Sequence, residues 1–203
     1  MNSGTRNVLF VVGAIVFLVI ICFSAYSCTY NGMVAADEKV MGQWAQVQNV
    51  YQRRYDLIPN LVATVQGYAT HEQEVLAQVT EARSRAGGVM NVSEDVLNDP
   101  EAFARFQQAQ NELGSALQRL LVVTENYPDL KANQNFLALQ DQLEGTENRI
   151  TVERQRYTEA VRDYNTKIRR FPQNIIANMS GFVPKQQFTA DTAAQTAPRV
   201  EFR

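Results

Sequence analysis

Histidine and cysteine are nearly missing from this chain of 203 residues, which has one histidine, His71, and two cysteines, Cys22 and Cys28. Carboxylate-bridged metal pairs in helical proteins need a Glu-x-x-His pair on each of two helices, and the residue three before His71 is Tyr68, so that chemistry fails on counting. Both cysteines lie in or beside an apolar run, which leaves the rest of the chain no thiol for a disulfide, a redox motif or a zinc site. Neither sign of charge is in surplus, with 19 basic and 21 acidic residues. A net charge of −2 lacks the basic surplus of a nucleic-acid binder, so no nucleic-acid partner is expected. No Gly-x-Ser-x-Gly, Gly-Lys-Ser, Gly-Lys-Thr or Gly-x-Gly-x-x-Gly occurs, which removes nucleophile elbows, phosphate loops and dinucleotide sites. No segment alternates with the period of a strand.

Charge disappears altogether between Arg6 and Asp37. Within that gap Val8 to Phe23 is unbroken apolar sequence, followed by Ser24, Ala25 and Tyr26. A helix over residues 8–26 is roughly 28 Å long, close to the ~30 Å hydrocarbon thickness of a bilayer. A retained membrane-spanning helix is therefore expected, and the run is rather long for a cleaved signal. The alternative is a lipid anchor on Cys28, with Ala25, Tyr26 and Ser27 in the place of the small residues before a lipidated cysteine. Arg6 stands before the run and the first base after it, Lys39, sits beside Asp37 and Glu38. The Lys/Arg bias leans towards a body outside the cytoplasm.

After the anchor the apolar positions step by three and four: Val40, Trp44, Val47, Tyr51, Tyr55, Ile58, Val62, Val65, Ala69, Leu76, Val79 and Ala86. That spacing predicts one helix of about 45 residues, kinked or broken near Leu57–Asn60 by Pro59 and ended by Gly87 and Gly88. Residues 89–99 read as a loop that closes on Asp99 as cap and Pro100 as first helical residue. Phe103, Phe106, Leu113, Leu117, Leu120 and Leu121 mark a second helix that stops near Asn126–Pro128.

The third helix has the cleanest pattern. Phe136, Leu143, Ile150, Tyr157, Tyr164 and Phe171 recur every seventh residue, which predicts coiled-coil-like packing. Pro172 stops it, a short helix through Ile175, Ile176 and Met179 follows, and Gly181 and Pro184 close the ordered part. The tail from Lys185 to the final Val200, Glu201 and Phe202 is expected to be mobile.

Several residues invite a functional reading but have a plainer one. His71, beside Glu72 and Glu74, fits a helix surface. Arg53 is expected to pair with Asp56 and Arg54 to be solvated. Tyr157, Tyr164 and Phe171 read as core. The amide-rich face of Gln43, Gln46, Gln48, Asn49 and Gln52 reads as solvated, although amides can also link helices or subunits. The triplets Asn91-Val92-Ser93 and Asn178-Met179-Ser180 are too short a pattern to assign a role.

Tyr30-Asn31, Trp44-Ala45-Gln46-Val47, Tyr51-Gln52-Arg53-Arg54 and Asp56-Leu57-Ile58-Pro59-Asn60-Leu61-Val62 together resemble the bacterial LemA family. Asn111-Glu112-Leu113, Glu125-Asn126-Tyr127-Pro128, Leu143-Glu144-Gly145-Thr146-Glu147-Asn148-Arg149-Ile150 and Arg170-Phe171-Pro172 agree, so that the likeness spans residues 30–182. The resemblance implies a bacterial inner-membrane protein with one amino-terminal membrane helix and a long antiparallel helical body. It brings no catalytic, cofactor-binding or metal-binding residues.

The expected protein is all-α: a single transmembrane anchor in 1–30, a long antiparallel three- or four-helix bundle in 31–184 and a flexible tail in 185–203. The expected function is non-enzymatic, a self-associating envelope or membrane scaffold in contact with the bilayer through residues 8–26. The alternative is an adaptor for a membrane partner such as a protease or sensor. No cofactor and no small-molecule substrate are expected.

Overall fold

A computed structural model describes residues 3–69, 71–90 and 94–189. It is 85% helical, without a strand among the described residues. Helix α1 runs from Ser3–Gln66, α2 from Gln73–Gly88, α3 from Pro100–Thr124, the single turn α4 from Pro128–Lys131, α5 from Gln134–Arg169 and α6 from Gln173–Met179. The 64 residues of α1 amount to about 96 Å of helix. Its apolar first third is long enough to cross a membrane, and none of the other described residues covers it.

The body forms on the remaining two thirds of α1. Helix α5 runs antiparallel along it: Lys167 donates to the Gly32 carbonyl, Lys39 pairs with Asp163 at 3.8 Å, and Trp44 meets Tyr157 with ring centroids 5.3 Å apart. Helices α2 and α3 are likewise antiparallel, with Arg85 on Glu112 at 3.3 Å and Arg119 on Gln78 at 3.4 Å. Asp99 caps α3 as expected, its Oδ1 accepting from the Glu101 and Ala102 amides. Asn133 does the same for α5. These caps satisfy amide donors that a helix start leaves open.

The structure corrects several expectations. Helix α1 is not broken at Pro59; it continues to Gln66, and the next helix starts at Gln73. Periodicity hid this division because Val65, Ala69, Leu76 and Val79 all face one core on either side of it. The 89–99 segment includes a short 3-10 helix, Glu94–Leu97, with Val96 and Leu97 buried; Asn91-Val92-Ser93 lies outside the described residues. Phe171 is 82% exposed, because α5 ends at Arg169 and the sevenfold phase ends with it.

The first residues of the tail are held, not free. Tyr164 and Tyr157 donate to the carbonyls of Val183 and Gln186 at 3.0 and 2.8 Å, and Asn165 exchanges two hydrogen bonds with Lys185. Lys185 also pairs with Asp37 at 2.9 Å. The Gln186 amide donates to Leu97, and Phe188 enters an aromatic cluster with Trp44, Phe103 and Tyr157. Residues 183–189 thus form a strap across α1, α3 and α5. Residues 190–203, with Val200, Glu201 and Phe202, lie outside the described residues.

Candidate functional site

The buried interior is divided into two apolar parts. The membrane-proximal part gathers Met33, Val40, Trp44, Val47, Tyr51, Phe103, Phe106, Ile150, Tyr157 and Tyr164. The distal part gathers Ile58, Leu61, Val65, Leu76, Leu113, Leu117, Leu120, Phe136 and Leu143. Each of three helices places a polar residue at the boundary: Arg54 between Tyr51 and Ile58, Gln110 between Phe106 and Leu113, and Glu147 between Leu143 and Ile150.

These three residues meet. Arg54 Nη1 donates to Glu147 Oε1 and Oε2 at 3.0 and 3.3 Å, and Arg54 Nη2 donates to the Gln110 carbonyl at 3.1 Å and to its side-chain oxygen. The guanidinium also lies over the Tyr51 ring, 5.1 Å from its centroid. Arg54 is 2% exposed, whereas the Glu147 side chain is 42% exposed and keeps contact with water. Burial pushes the Tyr51 hydroxyl above its ordinary value, and the positive charges of Arg154 and Arg54 work against that rise.

Arg54, expected to be a solvated surface charge, is buried. The signal was available: Val47, Tyr51, Arg54 and Ile58 are spaced by four, three and four, which puts Arg54 inside the apolar stripe. Gln110 lies the same way between Phe106 and Leu113. The expected pair of Arg53 and Asp56 does not form either; Asp56 accepts from Gln52 at 2.8 Å and Arg53 is exposed.

The other sequence candidates are structural or solvated. His71 is exposed in the turn after α1, while its neighbour Glu72 accepts from the Tyr127 hydroxyl at 2.8 Å and ties that turn to the end of α3. Glu74 accepts from Gln78. Gln46, Asn49 and Gln52 are exposed, with Gln43 and Gln48 half-buried. Tyr157 and Tyr164 are core residues whose hydroxyls hold the strap. Among the described residues no cluster of three His, Cys, Asp or Glu is gathered for a metal ion.

The polar layer commits its only carboxylate to a guanidinium and contains no nucleophile. What it can do chemically is fix alignment: sliding α5 by one turn against α1 would leave the buried charge of Arg54 without its partner, a shift far more costly than an apolar mismatch. A second concavity, of about 560 Å³, lies between α2 and α3 and is lined by Glu81, Arg85, Gln107, Asn111, Glu112 and Arg119 among others.

An apolar helix long enough to span a bilayer, continuous with an antiparallel helical body, is the architecture of a membrane-associated helical protein. The chain belongs to the LemA family, whose family model matches residues 43–202. It is 25% identical to the magnetosome protein MamQ 2 of Paramagnetospirillum magneticum, over 82% of this chain and 67% of that protein. It is 24% identical to the magnetosome protein MamQ of Magnetospirillum gryphiswaldense over the same shares of the two chains. It is also 22% identical to the protein LemA of Metamycoplasma hominis, over 86% of this chain and 75% of that one.

Proposed function

We propose that this protein is a non-catalytic membrane scaffold that self-associates through the flanks of its helical body. Residues 1–30 act as the anchor, crossing the membrane once through residues 8–26. The body beyond it, a coiled-coil-like bundle closed by the 183–189 strap, stands outside the cytoplasm. The observation that carries the reading is the outer surface of the long helices. Val122 on α3 and Leu137 and Val152 on α5 are large apolar side chains turned to the exterior, away from a sevenfold stripe that is already buried. Apolar side chains set singly along a narrow body give like copies points of lateral contact on a membrane.

The test is the mass and electron-microscopic image of the full-length protein after gentle extraction without added partners. Large ordered particles support the scaffold, and a uniform monomer in mild detergent and in native membranes overturns it. Labelling of single cysteines placed at exposed body positions in intact cells tests the sidedness. In a Cys28→Ser variant, unchanged membrane retention separates a spanning helix from a lipid anchor.

A second reading, an adaptor for a membrane partner, is favoured by the concavity between α2 and α3. Its mixed charges of Glu81, Arg85, Glu112 and Arg119 suit a polar protein segment. A slender single particle whose captured partner is lost on reversing Arg85 and Arg119 to Glu would support this reading over the first.

A further inference from the structure

Helix α6 is apolar on two sides. Ile176 and Ala177 face inward and pack with the cluster of Met33 and Ile168. Ile175 and Met179, one turn apart on α6, share another face and are 52% and 77% exposed, and Phe171, in the turn that leads into the helix, is 82% exposed. A helix with apolar side chains on both faces needs cover on the second as well.

The position of α6 identifies the cover. Lys167, near the end of α5, reaches the carbonyl of Gly32, which lies about 9 Å along α1 from Tyr26, the end of the apolar run. The chain beyond Lys167 continues towards the membrane, and α6 packs on both α1 and α5. Phe182, just after α6, lies edge-on to Tyr30 at 5.7 Å, and Tyr30 stacks on Tyr26 at 6.2 Å. Tyrosines at this depth are typical of the membrane–water boundary. The strap then turns away from the membrane towards Leu97 and Gln107. Helix α6 is therefore the base of the body.

The charges agree. No acidic residue occurs between Asp163 and Asp191, nor between Tyr26 and Asp37, while Arg169 and Arg170 are exposed at the corner before α6. We propose that Phe171 and the Ile175–Met179 face of α6 rest in the headgroup–acyl boundary of the bilayer that α1 spans, with Arg169 and Arg170 on anionic lipid headgroups. Basic side chains beside an apolar face are the composition of an interfacial helix. A second copy is a poorer occupant, since its own base would bring two like-charged corners together. The contact gives the protein two membrane attachments, one spanning and one lying flat, and so fixes the tilt of the body.

The proposal rests on α1 being inserted in the bilayer, which flotation with vesicles checks separately. Trp44 is the only tryptophan; it is buried and about 27 Å along α1 from Tyr26, so the wild-type protein gives little lipid-dependent background. Full-length Phe171→Trp and Met179→Trp are placed in vesicles of phosphatidylglycerol or phosphatidylcholine brominated near the headgroup end of the acyl chain. Val122→Trp, at the distal end, is the control. The expected result is that the added emission at 171 and 179 falls at least about twofold while that at 122 does not, as for side chains seated in the interface. Quenching is stronger in phosphatidylglycerol, and Arg169→Gln with Arg170→Gln removes that difference.

Emission at 171 and 179 quenched by aqueous iodide but not by brominated lipid overturns the proposal. So does emission shielded from both, which would mean that a second copy or another protein covers the face. Quenching equal in the two lipids overturns the role given to the arginines. Failure of the wild-type protein to float with vesicles overturns the spanning reading itself, whereas flotation without quenching overturns only the contact at α6.

Discussion

Arg83 on α2 donates its Nε hydrogen to the carbonyl oxygen of Tyr55 on α1 at 3.2 Å. That carbonyl is the acceptor which Pro59, four residues on and without an N–H, leaves unserved. The guanidinium also stacks on the Tyr55 ring, 3.9 Å from its centroid, and Pro59 itself sits on the exposed face of the helix. A neighbouring helix thus supplies the missing donor, and α1 has no need to break. Arg83→Leu is expected to lower stability by about 1–2 kcal/mol, the penalty of an unpaired, partly buried acceptor together with the lost stacking. Amide exchange should quicken around Leu57–Leu61, and the loss should shrink in a Pro59→Ala background, where residue 59 regains its donor. Hydrogen exchange by mass spectrometry on the four proteins decides it; uniformly fast exchange there in the wild type would mean that the segment is a hinge.

The Arg54–Glu147 pair predicts a different pattern. Glu147→Ala strands a guanidinium that is 2% exposed, yet Gln110 still accepts from it, so the loss should be about 2–3 kcal/mol, below that of a fully buried pair. Arg54→Met combined with Gln110→Leu and Glu147→Leu removes every member of the layer and should be close to neutral in thermal stability. The price appears in alignment: spin-label distances between α1 and α5 should be single-valued in the wild type and broadened in the all-apolar variant. A narrow distribution in both would show that the layer does not set the register.

The pattern of the chain carried the long helical stretches, though not the division of α1 from α2, together with the Asp99-Pro100 cap and the buried sevenfold stripe from Phe136 to Tyr164, because a long amphipathic helix repeats its environment at every turn. It carried less where one residue's environment depends on a distant one. Pro59 looked like a break because its compensating donor, Arg83, is 24 positions away. Arg54 looked solvated because its acceptors, Gln110 and Glu147, are 56 and 93 positions away. Phe171 falls in phase with the stripe, but Pro172 directly after it disfavours a helical residue 171, and α5 ends two residues earlier. The polar, glycine-poor segment from Lys185 carries no periodicity at all, and its hold depends on scattered hydrogen bonds to Tyr157, Asn165 and Leu97.

That strap can be tested directly. Phe188 meets Trp44, Phe103 and Tyr157 at centroid distances of 6.4, 5.1 and 5.6 Å, and Arg154 caps its ring at 4.4 Å. Phe188→Ala should cost about 2–3 kcal/mol, somewhat below the range for a fully buried phenylalanine because this one is only half-buried. The emission of Trp44 should shift to the red as water reaches the cluster. An unchanged melting temperature and spectrum would return these residues to the status of a loose tail.

The two tyrosines under the strap make its hold sensitive to alkali. Burial raises the Tyr157 hydroxyl well above its ordinary value, and burial together with the charge of Asp37 raises Tyr164 to about 12. Each hydroxyl must stay protonated to donate to a strap carbonyl, at Gln186 and Val183 respectively. In the unfolded chain both ionise near the reference value of about 10. The unfolded state therefore releases protons first as pH rises, and stability falls from about pH 10 towards about pH 12, by up to about 1.4 kcal/mol per pH unit for each tyrosine. Below pH 10 the contribution is complete and constant. Tyr164→Phe should lose about 1 kcal/mol at neutral pH with its hydrogen bond, yet show a shallower decline above pH 10, so that its melting curve approaches that of the wild type in alkali. Melting temperatures across pH 8 to 12, read beside tyrosinate absorbance, check both halves of the expectation, and parallel declines in the two proteins would mean that Tyr164 titrates as a solvent-exposed phenol.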